Sequence, residues 1–100
     1  MVKLPVSLAA TAVIVSFVEA NLHNCDAGQL YCGSSLQNWY FGYAESTVEG
    51  ALCVAGQPQT GTHLENSLFI CQPDAGVVWL DICEQGCIAG TNGANDTCNN

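Results

Sequence analysis

The sequence predicts a small, disulfide-rich α+β domain in which one helix packs on a short antiparallel β-sheet, in β-α-β-β order. Three observations point there. Seven cysteines occur in 100 residues, and all of them follow an apolar leader. A helical spacing of apolar residues begins near Glu45. Two runs of strand-forming residues, "NSLFICQ" and "VVWLDICE", flank the turn sequence "PDAG".

The leader comes first. Lys3 supplies a positive start, Leu4 to Val18 carries no charge, and Val18-Glu19-Ala20 places small or modest residues where a signal peptidase reads. Residues 1–20 therefore read as a secretory signal peptide, cut between Ala20 and Asn21. A bilayer span needs about 20 apolar residues, and this stretch falls short. Asn21 to Asn100 is expected to form a single secreted domain, too short to divide further.

Within that domain, "CDAGQLYCG" reads as a turn through Asp26-Ala27-Gly28 and a strand from Gln29 to Cys32. "SSLQNWYFGYAES" has clustered aromatics and no clean period. From Glu45 onward, Val48, Ala51, Leu52 and Ala55 recur at three- and four-residue steps and so share one helical face. Glu45 and Glu49 lie early, where the helix dipole favours them, and Gly56 and Pro58 end the helix. "QPQTGTH" reads as a loop. In the hairpin that follows, alternation is expected to put Phe69 and Cys71 on one face with Val78, Leu80 and Ile82, and Leu68, Ile70 and Trp79 on the other. "GCIAGTNGANDTCNN" reads as a glycine- and asparagine-rich tail pinned by Cys87 and Cys98.

Charge narrows the function. The chain has nine Asp and Glu and a single basic residue, Lys3. Removing the leader takes Lys3 and Glu19, which leaves eight carboxylates and no lysine or arginine. Nucleic-acid binding leans on those cations for phosphate contacts and is excluded. Attraction to anionic membranes fails on the same ground. A chain without lysine or arginine also gives trypsin-like proteases nothing to cut.

The cysteines read as structural. A core below about 80 residues rarely supplies more than about 3–5 kcal/mol, whereas one disulfide adds roughly 2–4 kcal/mol, and export makes oxidation available. Zinc is not expected. Cys83-x-x-x-Cys87 has no second close pair, and neither His23 nor His63 belongs to a spaced histidine pair. A redox role would favour C-x-x-C, which does not occur. Seven is odd, and Cys53, among aliphatic neighbours in "VEGALCVAG", is expected to be the free thiol, buried as a small hydrophobe; were it exposed, a disulfide-linked dimer could form through it, although a monomer is the expectation. Six cysteines allow 15 pairings. Cys83 and Cys87 are expected to have different partners, because an extended chain sets them about 13 Å apart.

The combination "CDAGQLYCGSSL", then "AL" on the helix, then "NSLFIC" and "CEQGCIAG" resembles a group of small secreted cysteine-rich proteins of filamentous, often plant-associated ascomycete fungi. The likeness covers nearly all of Cys25 to Cys98. Its shared six are Cys25, Cys32, Cys71, Cys83, Cys87 and Cys98, with Cys53 as an addition. The resemblance implies an extracellular fungal protein, a candidate effector contributing to virulence by acting on a host, and carries no catalytic residues with it.

Few residues stand out as sites. Trp39, Tyr40, Phe41 and Tyr43 form the densest aromatic stretch. It reads first as core, but Trp39, Tyr40 and Tyr43, if exposed, could stack on the sugar rings of chitin or another cell-wall glycan. His23 and His63 read as solvated loop residues; His63 has Glu65 nearby without any evident acid–base geometry. Asp81 alternates with apolar neighbours and has no evident role. Asn95-Asp96-Thr97 matches the N-glycosylation acceptor pattern. The expected activity is therefore non-enzymatic and free of cofactors: binding of an extracellular host protein, with a glycan-binding module and a protease inhibitor as rivals.

Overall fold

The computed structural model describes residues 21–99, so the expected signal peptide lies outside the described residues. Five strands and three helices follow in chain order: β1 (Leu30–Cys32), α1 (Gly33–Leu36), α2 (Glu45–Val54), α3 (Gly61–Asn66), β2 (Ser67–Cys71), β3 (Val77–Ile82), β4 (Cys87–Ile88) and β5 (Thr97–Cys98). The α+β class holds, with more elements than the sequence suggested. α1 and α3 emerge from stretches without a clear period, and the tail contains a second, two-stranded sheet.

The main sheet has the antiparallel order β1-β2-β3, with β2 in the centre. Its two faces are covered differently. Tyr31 and Phe69 face Leu36, Tyr43, Val48, Leu52 and Leu64, the main core built with the helices. Cys32 and Leu68 face Cys83, Cys87 and Cys98 of the C-terminal segment. The sheet is thus a middle layer between helices and a sulfur-rich hairpin.

α2 follows its sequence pattern closely. Val48 and Leu52, one turn apart, are fully buried. Its C-terminus closes with two reverse bonds: Gly56 N–H to the Cys53 carbonyl (3.0 Å) and Gln57 N–H to the Leu52 carbonyl (2.9 Å). This Schellman arrangement needs a left-handed residue, and Gly56 supplies it at φ 70°. α1 lies so close to α3 that a Cβ at Gly33 would overlap the Leu64 carbonyl. Only glycine fits there.

The hairpin's facing differs from the sequence expectation. Cys71 pairs with Val77, Ile70 with Val78 and Phe69 with Trp79, so Phe69 and Cys71 share their face with Val77 and Trp79 instead of Val78 and Leu80, while Ile82, paired with Ser67, does lie on that face as expected. The turn is tied by Gln72 N–H to the Gly76 carbonyl (2.8 Å) and Ala75 N–H to the Gln72 carbonyl (2.9 Å), and it fixes this register. A bulge then shifts the pairing by one residue, matching Leu68 with Asp81. Val78 and Leu80 consequently lie about half exposed. Beneath the sheet, Trp79 Nε1–H donates to Ser67 Oγ at 3.0 Å, satisfying a hydroxyl that is wholly buried.

Three disulfides join distant parts: Cys25–Cys71, Cys32–Cys87 and Cys83–Cys98, closing 46, 55 and 15 residues of sequence. Cys83 and Cys87 do have different partners. In the chain-entropy account, the shortest loop contributes roughly 3 kcal/mol and each longer one about 4 kcal/mol, with less than the full sum because the loops interlock. Cys53 is free but exposed, not buried. It lies one residue, about 100°, past Leu52 on the helix and so turns away from the inward stripe despite its aliphatic neighbours in sequence. Val54, beside it, is 89% exposed.

Candidate functional site

The aromatic stretch divides at a turn. Asn38 Oδ1 accepts the backbone N–H groups of Tyr40 and Phe41, each at 2.9 Å, and the Asn38 carbonyl accepts Gly42 N–H at 2.9 Å. Gly42 takes φ 62°, a left-handed conformation that suits glycine, and the Leu22 side chain lies against it. Side chains on the two sides of this turn go opposite ways.

Tyr43 enters the core. Its hydroxyl donates to the Ala75 carbonyl at 2.7 Å and accepts Cys25 N–H at 3.1 Å. A buried phenol held in this way cannot contact a glycan, which corrects its inclusion among the sugar-stacking candidates. Trp39 goes the other way and is 85% exposed, while Tyr40 is partly exposed. The expectation that the stretch is core thus fails for these two. The N-terminal segment braces them: Leu22 N–H bonds the Phe41 carbonyl at 2.9 Å, and the His23 ring nitrogen Nδ1 lies 2.8 Å from the Tyr40 carbonyl.

The rings form a continuous ladder. His23 stacks on Tyr40, with centroids 4.0 Å apart and planes within 3°. Tyr40 meets Phe41 edge-on at 5.0 Å, and Phe41 meets Tyr31 edge-on at 5.2 Å. Trp39 stands across Tyr40 at 84°. Such edge-to-face contacts favour fixed ring orientations, so the exposed end of the ladder is anchored to the core through Phe41 and Tyr31.

Beside the ladder lies a cleft of about 230 Å³. Asn38, Phe41 and Tyr31 form one wall, the chain from Ala89 to Asp96 forms the other, and Asp26 and Gln29 add polar groups. Asp96 organises the second wall. It is buried, and its carboxylate accepts Cys32 N–H at 2.8 Å and Gly90 N–H at 2.6 Å, which compensates the cost of burying its charge. Tyr31 accepts Asp26 N–H at 2.8 Å. Burial pushes its phenol above the ordinary tyrosine value; the Asp26 N–H opposes this, and the nearby Asp26 and Asp96 carboxylates add to the rise. The sequence reading singled out neither Tyr31 nor Asp96. The only available signal for Asp96 was a carboxylate two residues before a cysteine.

The remaining candidates lie apart or act alone. His63 is not a solvated loop residue: it sits on α3, half-buried, with Nδ1 shielded from solvent and unpartnered. Glu65 on the same helix is exposed. The Asp81 carboxylate accepts Ile82 N–H at 2.8 Å, a local role within its strand. Among the described residues, no group of three or more His, Cys, Asp and Glu side chains could hold a metal ion. Asn95 is exposed, between the cleft-lining Ala94 and Asp96.

No family model matches this chain, and no curated protein or solved structure matches it either.

Proposed function

We propose that this chain is a secreted, non-enzymatic recognition module of the effector type, binding an extracellular host protein through the Trp39 shelf. The observation that carries this reading is Trp39 itself: a large apolar ring 85% exposed on a turn braced from both sides. Folding gains nothing from leaving that ring in water. Tryptophan and tyrosine are enriched among the few residues that dominate protein–protein binding energy. With eight carboxylates and no lysine or arginine after residue 20, the complementary partner surface is basic around an apolar pocket.

The polar cleft beside the shelf favours a second reading, a glycan-binding module, since carboxylates and amides there suit sugar hydroxyls. Ring geometry weighs against a flat sugar platform: His23 covers one face of Tyr40, and Trp39 stands nearly perpendicular to it. Insoluble chitin that retains the wild type but not Trp39→Ala would favour the glycan. A protease inhibitor is the third reading, and a panel of proteases addresses it.

The deciding experiment is capture from host extracellular fluid on immobilised wild-type and Trp39→Ala protein, followed by affinity measurement on each captured protein. Because Trp39 is so exposed, the variant keeps its fold. The expected loss is at least ~30-fold in affinity, corresponding to a hot spot of about 2 kcal/mol. Equal affinity of both forms for every captured protein contradicts the proposal.

A further inference from the structure

We propose that Asn95 carries an N-linked glycan, added during export, which stands on the rim of the cleft opposite the Trp39 turn. The sequon Asn95-Asp96-Thr97 is a necessary condition that many unmodified sequences meet. Its geometry here shows that the finished fold accommodates the modification. Asn95 and Thr97 are exposed, whereas Asp96 between them is buried. The Asn95 side-chain oxygen accepts Leu30 N–H at 3.0 Å. That bond engages only the carbonyl oxygen of the amide, on a residue that is exposed. N-glycosylation uses only the nitrogen. The Asn95 amide nitrogen forms a bond to the anomeric carbon of a polyprenyl-diphosphate-linked oligosaccharide; the carbon–oxygen bond to the diphosphate breaks, the lipid diphosphate leaves with the bonding electrons, and one amide proton is released. The carbonyl oxygen stays free to accept Leu30 N–H, so the folded contact survives the modification.

The fold also sets the order of events. Thr97 lies in β5 and Cys98 is bridged to Cys83, while the buried Asp96 is bonded to β1 and Gly90. A locked sequon cannot extend into a transferase, so transfer precedes closure of Cys83–Cys98. In the finished protein, Ala94 and Asp96, on either side of Asn95, line the cleft whose other wall includes Asn38 and Phe41. The oligosaccharide therefore shields one wall and leaves the Trp39 side open to a partner.

The proposal rests on export, and the test separates the two. The full chain is produced in eukaryotic cells with its own first 20 residues and, in parallel, with a leader from an unrelated secreted protein in their place. Material from the medium is treated with peptide-N-glycosidase and measured by intact and peptide mass spectrometry. With the unrelated leader, the expected result is loss of one glycan and recovery of residue 95 as Asp. Thr97→Ser retains the glycan, and Thr97→Ala, which leaves the Asn95 side chain in place, abolishes it. Recovery of residue 95 as unmodified Asn from the unrelated-leader product overturns the proposal. Failure confined to the chain's own leader counts against the export reading alone.

Discussion

The two faces of the central sheet are stabilised by different means. Under the helices, Leu36, Val48, Leu52, Leu64 and Phe69 form a largely apolar core in which the Cys25–Cys71 bridge is also buried. Under the C-terminal hairpin, the buried cluster is only Cys32, Leu68 and Cys83, with Leu30, Cys87 and Cys98 partly buried against it. Four of these six residues are bridged cysteines. β4 and β5 are two residues each, too short to hold a sheet by hydrogen bonding. Where apolar surface is scarce, cross-links and one buried carboxylate take over. Chain entropy removed from the unfolded state then does what burial does on the other face.

This comparison can be broken at several points. The largest expected effect is removal of Cys32–Cys87 by paired serine substitution. It should lower unfolding free energy in denaturant titrations by about 4 kcal/mol, a large share of the stability of a small domain. Near-native stability would mean that the hairpin face needs no staple. Leu52→Ala tests the other face, where a fully buried leucine at the core centre predicts about 3 kcal/mol of loss from lost burial and the residual cavity. Asp96→Asn sharpens the picture of the sulfur-rich side. Its carboxylate oxygens each accept a backbone N–H, and an amide presents one acceptor in their place, so roughly 2 kcal/mol should be lost. Hydrogen exchange should locate that loss at Cys32 and Gly90. Smallest is Cys53→Ser, which exposes no cavity and breaks no bridge and should change stability by less than about 0.5 kcal/mol. The same variant should abolish any covalent dimer seen on non-reducing gels.

What the sequence made legible follows the same division. The α2 stripe and its glycine stop could be read because each rests on local periodicity and local backbone chemistry. So could the hairpin around "PDAG" and the oddness of the cysteine count. The facing of the hairpin could not, because the turn between Cys71 and Val77 sets the register without a mark in the alternation, and a bulge near Leu80 then shifts the pairing by one residue. α3 and the β4–β5 pair are too short to show any period and depend on packing and cross-links. Cys53 was misplaced because neighbours in sequence are not neighbours on a helical face. Of the candidate site, the aromatic cluster was visible, but its division into buried Tyr43 and exposed Trp39 depends on the Asn38 turn and on a brace from residues 22 and 23. Asp96 acquires its role only when the tail folds back over β1.

The most direct measurement is thermal unfolding of the purified domain before and after full reduction, with thiols counted in each sample. One titratable thiol and a cooperative melt are predicted before reduction, and seven thiols with no cooperative transition after it. A reduced sample with seven thiols that still melts cooperatively near the original temperature would contradict the assignment of this fold's stability to its sulfur bridges.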